Sequence, residues 1–273
     1  MLLLSARFEP AEGVRRRPPL SPYLQVAVAA VWMAALGLAL EVLRPNWAGI
    51  GHGLATGAVH AGLIAIGWLV ATAATPGWRG PVLRLATAAI LAAIAARVTA
   101  WGPLAFLLVP AVLIHETRGL PSMRAIGLNG ARPIPLVTGL AAGGFLGLHL
   151  LLTASLTFGY RVHASAAAYA GALAYDVGAN VLSAEWLFRG ALFTACWRRS
   201  SFWPAALATT SLSVVRYLLD PALPPAAEAR AGAIFYLGLV GLVACALRAW
   251  SGSLLPGYLT GLAFFAAYRT LTP

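Results

Sequence analysis

The chain has 273 residues, 60% of them hydrophobic and only 10% charged, whereas a soluble domain carries about 25% charge. With a mean hydropathy of +0.80, that excludes an ordinary soluble globule and points to a polytopic membrane protein. The net charge of +11 would suit nucleic acid, but all 19 basic residues are arginines scattered in short loops between apolar runs, a pattern that sets membrane orientation.

In chain order, an apolar Met1–Leu4 precedes the basic Arg15, Arg16 and Arg17, and a long apolar run follows from Tyr23 to Leu43. That run exceeds a signal-peptide core and lacks a clear cleavage site, so it reads as a retained first transmembrane helix. A bilayer core of about 30 Å needs about 20 apolar residues per helix. Runs of that order lie at 22–43, 53–75, 81–99, 134–157, 165–198, 203–219, 230–249 and 253–271. A shorter run at 102–115 holds Pro103 and Pro110 and is left three ways: spanning, re-entrant, or a kinked continuation of the preceding helix. The expected fold is an all-α, polytopic integral membrane bundle of about eight or nine transmembrane helices. Cys196 and Cys245 are too few for a disulfide framework and read as reduced packing residues.

Arginine placement predicts the orientation. With a cytoplasmic N-terminus and nine spans, the inner side holds Arg7, Arg15, Arg16, Arg17, Arg79, Arg84, Arg118, Arg124, Arg132, Arg198, Arg199 and Arg248. The outer side holds Arg44, Arg161, Arg230 and Arg269, and Arg97 snorkels from an outer helix end. The excess inside fits the positive-inside rule and a bacterial inner-membrane protein.

Arg189 and Arg216 are then left at membrane depth with Glu185, where ionisable groups default to functional candidates. Helix rise puts Glu185 about 20 Å from the inner end at Arg198, Arg216 about 20 Å along its helix from Trp203, and Phe264 about 18 Å beyond Gly252. Thr260 lies one turn closer to the cytoplasm. The structural reading makes Glu185 and Arg189 a buried i,i+4 ion pair with Arg216 as second partner. Its net charge of about +1 would attract a lipid phosphate or a peptide carboxylate. His60, His115 with Glu116, and His149 show no metal-ligand spacing, so no metal site is expected. Asp176, one turn before Asn180, is expected at the outer interface, and Trp32, Trp68, Trp186 and Trp250 in core or interfacial places. A transporter conducting an anion past Arg216 and Arg189 finds no inverted repeat to support it.

Three stretches carry a family resemblance. Ala184-Glu185-Trp186-Leu187-Phe188-Arg189-Gly190 resembles the Glu-Glu-x-x-Phe-Arg-Gly box of the CPBP family, the CAAX-protease and bacteriocin-processing (Abi-type) intramembrane peptidases. Thr210-Ser211-Leu212-Ser213-Val214-Val215-Arg216 occupies the place of its Phe-x-x-x-His box. Ser251-Gly252-Ser253-Leu254-Leu255-Pro256 with Thr260-Gly261-Leu262-Ala263-Phe264 resembles its closing helix, usually Gly-Ser-Leu followed by His-x-x-x-Asn. Arg124-Ala125-Ile126-Gly127-Leu128 and the Gly139 to Gly147 stretch look like its lead-in. The resemblance divides the chain into 1–119, generic membrane helices, and 120–273, a CPBP-like core.

The resemblance implies a glutamate that activates water, two assisting histidines and an asparagine at the oxyanion. Here Glu185 and Arg189 remain as the residual catalytic pair, while Ala184, Arg216, Thr260 and Phe264 stand where the first glutamate, the histidines and the asparagine are expected. Arginine cannot take over proton transfer or metal ligation. The expected protein is therefore a catalytically impaired relative without a cofactor. Arg216 and Thr260 would serve binding, and the partners would be membrane lipids or a membrane peptide or protein, not nucleic acid. An active intramembrane peptidase, CAAX-type or bacteriocin- or sorting-signal-processing, that uses Glu185 is the alternative.

Overall fold

The computed structural model describes residues 20–74, 76–162, 165–220, 223 and 225–272. Met1–Leu4, Arg7, Arg15, Arg16, Arg17 and His163 lie outside the described residues.

The apolar runs are helices. In order they are α1 (Leu20–Leu43), α2 (Ala48–Thr72), α3 (Arg79–Val98), α4 (Leu108–Thr117), α5 (Pro121–Ala125), α6 (Pro133–Phe158), α7 (Ala166–Tyr175), α8 (Val181–Ala184), α9 (Phe193–Trp197), α10 (Phe202–Leu218), α11 (Ala227–Ser251) and α12 (Leu255–Tyr268). Among the described residues, five helical stretches are long and apolar enough to cross a membrane: Ser21–Leu43, Pro45–Thr72, Arg79–Val98, Pro133–Phe158 and Ala227–Ser251. The expected run at 165–198 is helical from α7 to α9, but two π-helical segments, Asp176–Asn180 and Glu185–Leu192, interrupt its α-winding. The short run at 102–115 is a separate element: Thr99 turns extended after α3, and a 3-10 helix, Gly102–Leu107, leads into α4. The all-α expectation gains one small exception, a two-residue antiparallel pair of β1 (Arg161–Val162) and β2 (Leu271–Thr272).

Contacts group the described residues into two compact units. Among the described residues, one draws on 20–123 and 165–187, the other on 124–162 and 188–272.

In the first unit α2 packs between α1 and α3. Glycines allow the backbones to approach, as in membrane helix pairs generally. A Cβ on Gly51 would strike the Gly37 carbonyl of α1, while one on Gly53 would sit 2.7 Å from the Ala93 carbonyl of α3. Trp186, almost fully buried, donates its indole N–H to the Ile64 carbonyl at 2.9 Å, and Gly67 opposite has no side chain to block the ring.

In the second unit α6 lies along α12, α11 packs on α6, α10 and α12, and β1 pairs with β2 beyond the ends of α6 and α12. Gly139, Gly143 and Gly147 recur every four residues on the α6 face that meets α12, the small-xxx-small spacing of close helix crossings. Both cysteines are free thiols; Cys245 is fully buried beside Phe193, Ala205 and Ala206, with Cys196 packed against that cluster. Leucine, valine and phenylalanine side chains cover the outward faces, including Val31, Val137, Phe145, Leu156 and Leu212, as lipid contact requires.

Candidate functional site

The motif falls in the π-helical segment Glu185–Leu192, where both Glu185 and Arg189 are buried. A π-helix closes each hydrogen bond over five residues, so the segment departs from the plain α-winding expected at the motif. The two units divide between Leu187 and Phe188, so Glu185 belongs to the first and Arg189, Arg216, Thr260 and Phe264 to the second.

In the second unit the guanidinium of Arg189 is bonded by α10 and given room by α11. Nη1 donates to Ser213 Oγ of α10 at 2.8 Å, and both residues are buried. Gly241 of α11 makes the room: a Cβ there would collide with Arg189 Nη2 and press on Thr210. Thr210 and Ser213 are three residues apart on α10 and so share a face. Thr210 is itself buried, and its Oγ1 has no hydrogen-bond partner among the described residues. Ser213, Thr210 and Gly241 escaped the sequence reading. Thr210 and Ser213 at helical spacing in an apolar run were the available signal.

Arg216 lies in the last turn of α10, half-buried, with its guanidinium carbon 4.3 Å from the centre of the Tyr217 ring. A cation there suits the negative end of the helix dipole and the face of an aromatic ring. Tyr217 in turn packs on Phe265, ring centres 5.7 Å apart.

Thr260 is fully buried in the α6–α12 crossing. Its hydroxyl donates back to the Pro256 carbonyl at 2.9 Å, a common way for a helical threonine to satisfy itself. A Cβ on Gly139 would stand 3.1 Å from Thr260 Oγ1, and one on Gly143 would strike the Thr260 carbonyl. Phe264, one turn on, stacks on Tyr236 of α11 with ring centres 6.0 Å apart. The Tyr236 hydroxyl meets His149 Nδ1 at 2.7 Å, which gives His149 a hydrogen-bonding role between α6 and α11.

The first unit holds a polar cluster that the sequence reading did not assemble. His60 of α2 bonds through Nδ1 to Ser183 Oγ at 3.0 Å and through Nε2 to the Tyr175 hydroxyl at 2.9 Å. Asn180 donates to Asp176 Oδ1 at 2.9 Å one turn away. Asp176, expected at the outer interface, is fully enclosed by protein. The cluster ties α2 to the interrupted helix, and helical wheels of either segment alone do not show it. Among the described residues no three of His, Cys, Asp and Glu gather as a metal site would need.

Residues 166–264 match the family model described as type II CAAX prenyl endopeptidase Rce1-like. The match covers the motif helix, α10, α11 and most of α12, and it is consistent with the CPBP resemblance of this region. No curated protein and no solved structure matches the chain.

Proposed function

We propose that this integral membrane protein of the CPBP family binds a membrane peptide, partner protein or lipid rather than hydrolysing one. The observation that carries the reading is Thr260. Its hydroxyl is engaged by its own helix and its backbone is pressed against Gly143, at the position where the resemblance calls for a histidine. Phe264, in place of the asparagine, is an apolar ring stacked on Tyr236. Arg216, in place of the other histidine, cannot shuttle protons near neutral pH. A buried carboxylate alone supplies at most a base, and acid–base catalysis needs a matched partner. Arg189 and Ser213 then serve to hold the fold.

Glu185 keeps a second reading alive, because it is a buried carboxylate in a π-helical turn, a winding found often at functional sites. In that reading the chain is an active intramembrane peptidase. Purified full-length protein in lipid nanodiscs, incubated with prenylated CAAX peptides and with single-span membrane peptides, decides between them by mass spectrometry. The expected result is intact peptide for both wild type and Glu185→Gln. Cleavage by the wild type that Glu185→Gln abolishes overturns the binding reading.

The arginine distribution supports a cytoplasmic N-terminus. Single cysteines placed at Arg132 and Arg161 should label from opposite sides; labelling of both from one side refutes that orientation.

A further inference from the structure

Outside the family-matched region, α3 and α4 leave an open groove of about 800 Å³. Its walls are apolar along most of their length: Leu83, Ala88 and Leu91 from α3, Leu108, Ala111 and Val112 from α4. Leu83, Leu91 and Leu108 are 67%, 59% and 63% exposed, so the groove opens outward, toward lipid in a membrane. From Leu91 to Arg84 it follows α3 for about 10 Å, most of one leaflet of a core of about 30 Å.

One end is polar and basic. Arg84 clasps Glu116 in a two-point ion pair, Nε and Nη2 donating to Oε1 and Oε2 at 2.6 and 2.7 Å. Glu116 is 7% exposed but the Arg84 side chain is 59% exposed. Arginine has five N–H donors and this pair uses two of its nitrogens, so Nη1 is still available. Gly80, whose Cβ would stand 3.5 Å from Nη1, puts no side chain over it. His115 lines the same end, and the exposed Arg79 and Arg118 begin α3 and follow α4. Three arginines against one glutamate give this end +2. Arg79 also lies by Trp78, 5.7 Å from the ring centre, a pairing suited to the headgroup level.

We infer that the α3–α4 groove is a binding site for an anionic phospholipid, its phosphate on Arg84 and His115 and an acyl chain along Leu83, Leu91, Leu108 and Val112. Charge at one end and a continuous apolar trough behind it match a phospholipid in both chemistry and direction. The bidentate Glu116 fixes the guanidinium in place, which lowers the ordering cost of binding. Arginine-lined pockets between membrane helices bind anionic headgroups by this physics. The site is independent of the function proposed for residues 166–264.

Native mass spectrometry of the full-length protein in detergent, titrated with phosphatidylglycerol or phosphatidylcholine, tests it. Phosphatidylglycerol should bind at one per chain and about fivefold more tightly than phosphatidylcholine, as a single well-placed cation contributes. Arg84→Gln should erase that preference, and Arg84→Lys should keep part of it. Ala111 is exposed in the groove wall, so Ala111→Trp fills the trough without entering the core, and it should weaken both lipids with the fold unchanged. Equal binding of the two lipids, full retention in Ala111→Trp, or displacement of phosphatidylglycerol by millimolar inorganic phosphate would overturn the site.

Discussion

Arg189 and Thr260 are both buried in the unit built on α6 and α9–α12, yet their surroundings solve opposite problems. Arg189 brings a charge into an apolar interior, and the helices around it give way: Ser213 offers an oxygen and Gly241 withholds a side chain. Thr260 brings only a hydroxyl, which turns back on its own helix, and α6 closes over it through glycines. A buried guanidinium has to be accommodated with specific acceptors and space. A small hydroxyl can be absorbed into packing. The contrast is between a side chain built into the contacts of α10 and α11 and one enclosed by the backbone of α6.

The sharpest way to break the contrast is to open the α6–α12 crossing. Gly143→Leu drives a side chain into the Thr260 backbone, with no flexible neighbour to yield. It should cost about 3 kcal/mol or more, at the upper end of overpacking, or prevent folding. Gly144→Leu is the control, since nothing stands within 4 Å of a Cβ there, and it should unfold within about 0.5 kcal/mol of wild type. Thermal unfolding in detergent measures both. Equal stability of the two variants would mean that Thr260 is not held in a close crossing.

Next comes the arginine. Arg189→Met removes the charge and leaves Ser213 Oγ without its donor, for an expected loss of about 2–3 kcal/mol. Ser213→Ala removes only the acceptor and should cost about 1–2 kcal/mol. The double mutant should lose less than the sum by about 1 kcal/mol, the coupling of a direct contact. Strict additivity would deny that Ser213 holds Arg189.

Much of the helical layout was legible in the sequence because bilayer thickness sets run length, and the runs at 22–43, 134–157 and 230–249 reappear as α1, α6 and α11. The glycines from 139 to 147 were visible too, though their partner α12 was not, since a small residue does not announce which backbone it admits. What stayed hidden was winding and distance in space. The π-helical segments replace α-winding around the motif without a residue that marks them. The bond from Arg189 to Ser213 and the bridge from His60 to Ser183 join positions 24 and 123 residues apart. Such pairs depend on packing that no local period encodes. The run at 203–219 reappears as α10 almost residue for residue, and Arg216, far along it from Trp203, sits in its last turn.

The smallest expected effect belongs to Thr260, and it separates a packing role from a binding one. Thr260→Val keeps the shape of the side chain and removes only the hydroxyl, whose acceptor is the Pro256 carbonyl one turn back. A carbonyl inside a helix can still accept the backbone hydrogen bond, so the loss should stay below about 1 kcal/mol. Thr260→His is the informative counterpart. The imidazole restores the residue type expected from the resemblance, but it enters a fully buried site closed by Gly139 and Gly143. Overpacking should then cost about 1–3 kcal/mol and restore no peptide cleavage. Unchanged unfolding with new cleavage activity in Thr260→His would show that the crossing can open around a catalytic side chain, and that only one substitution separates this chain from a working peptidase.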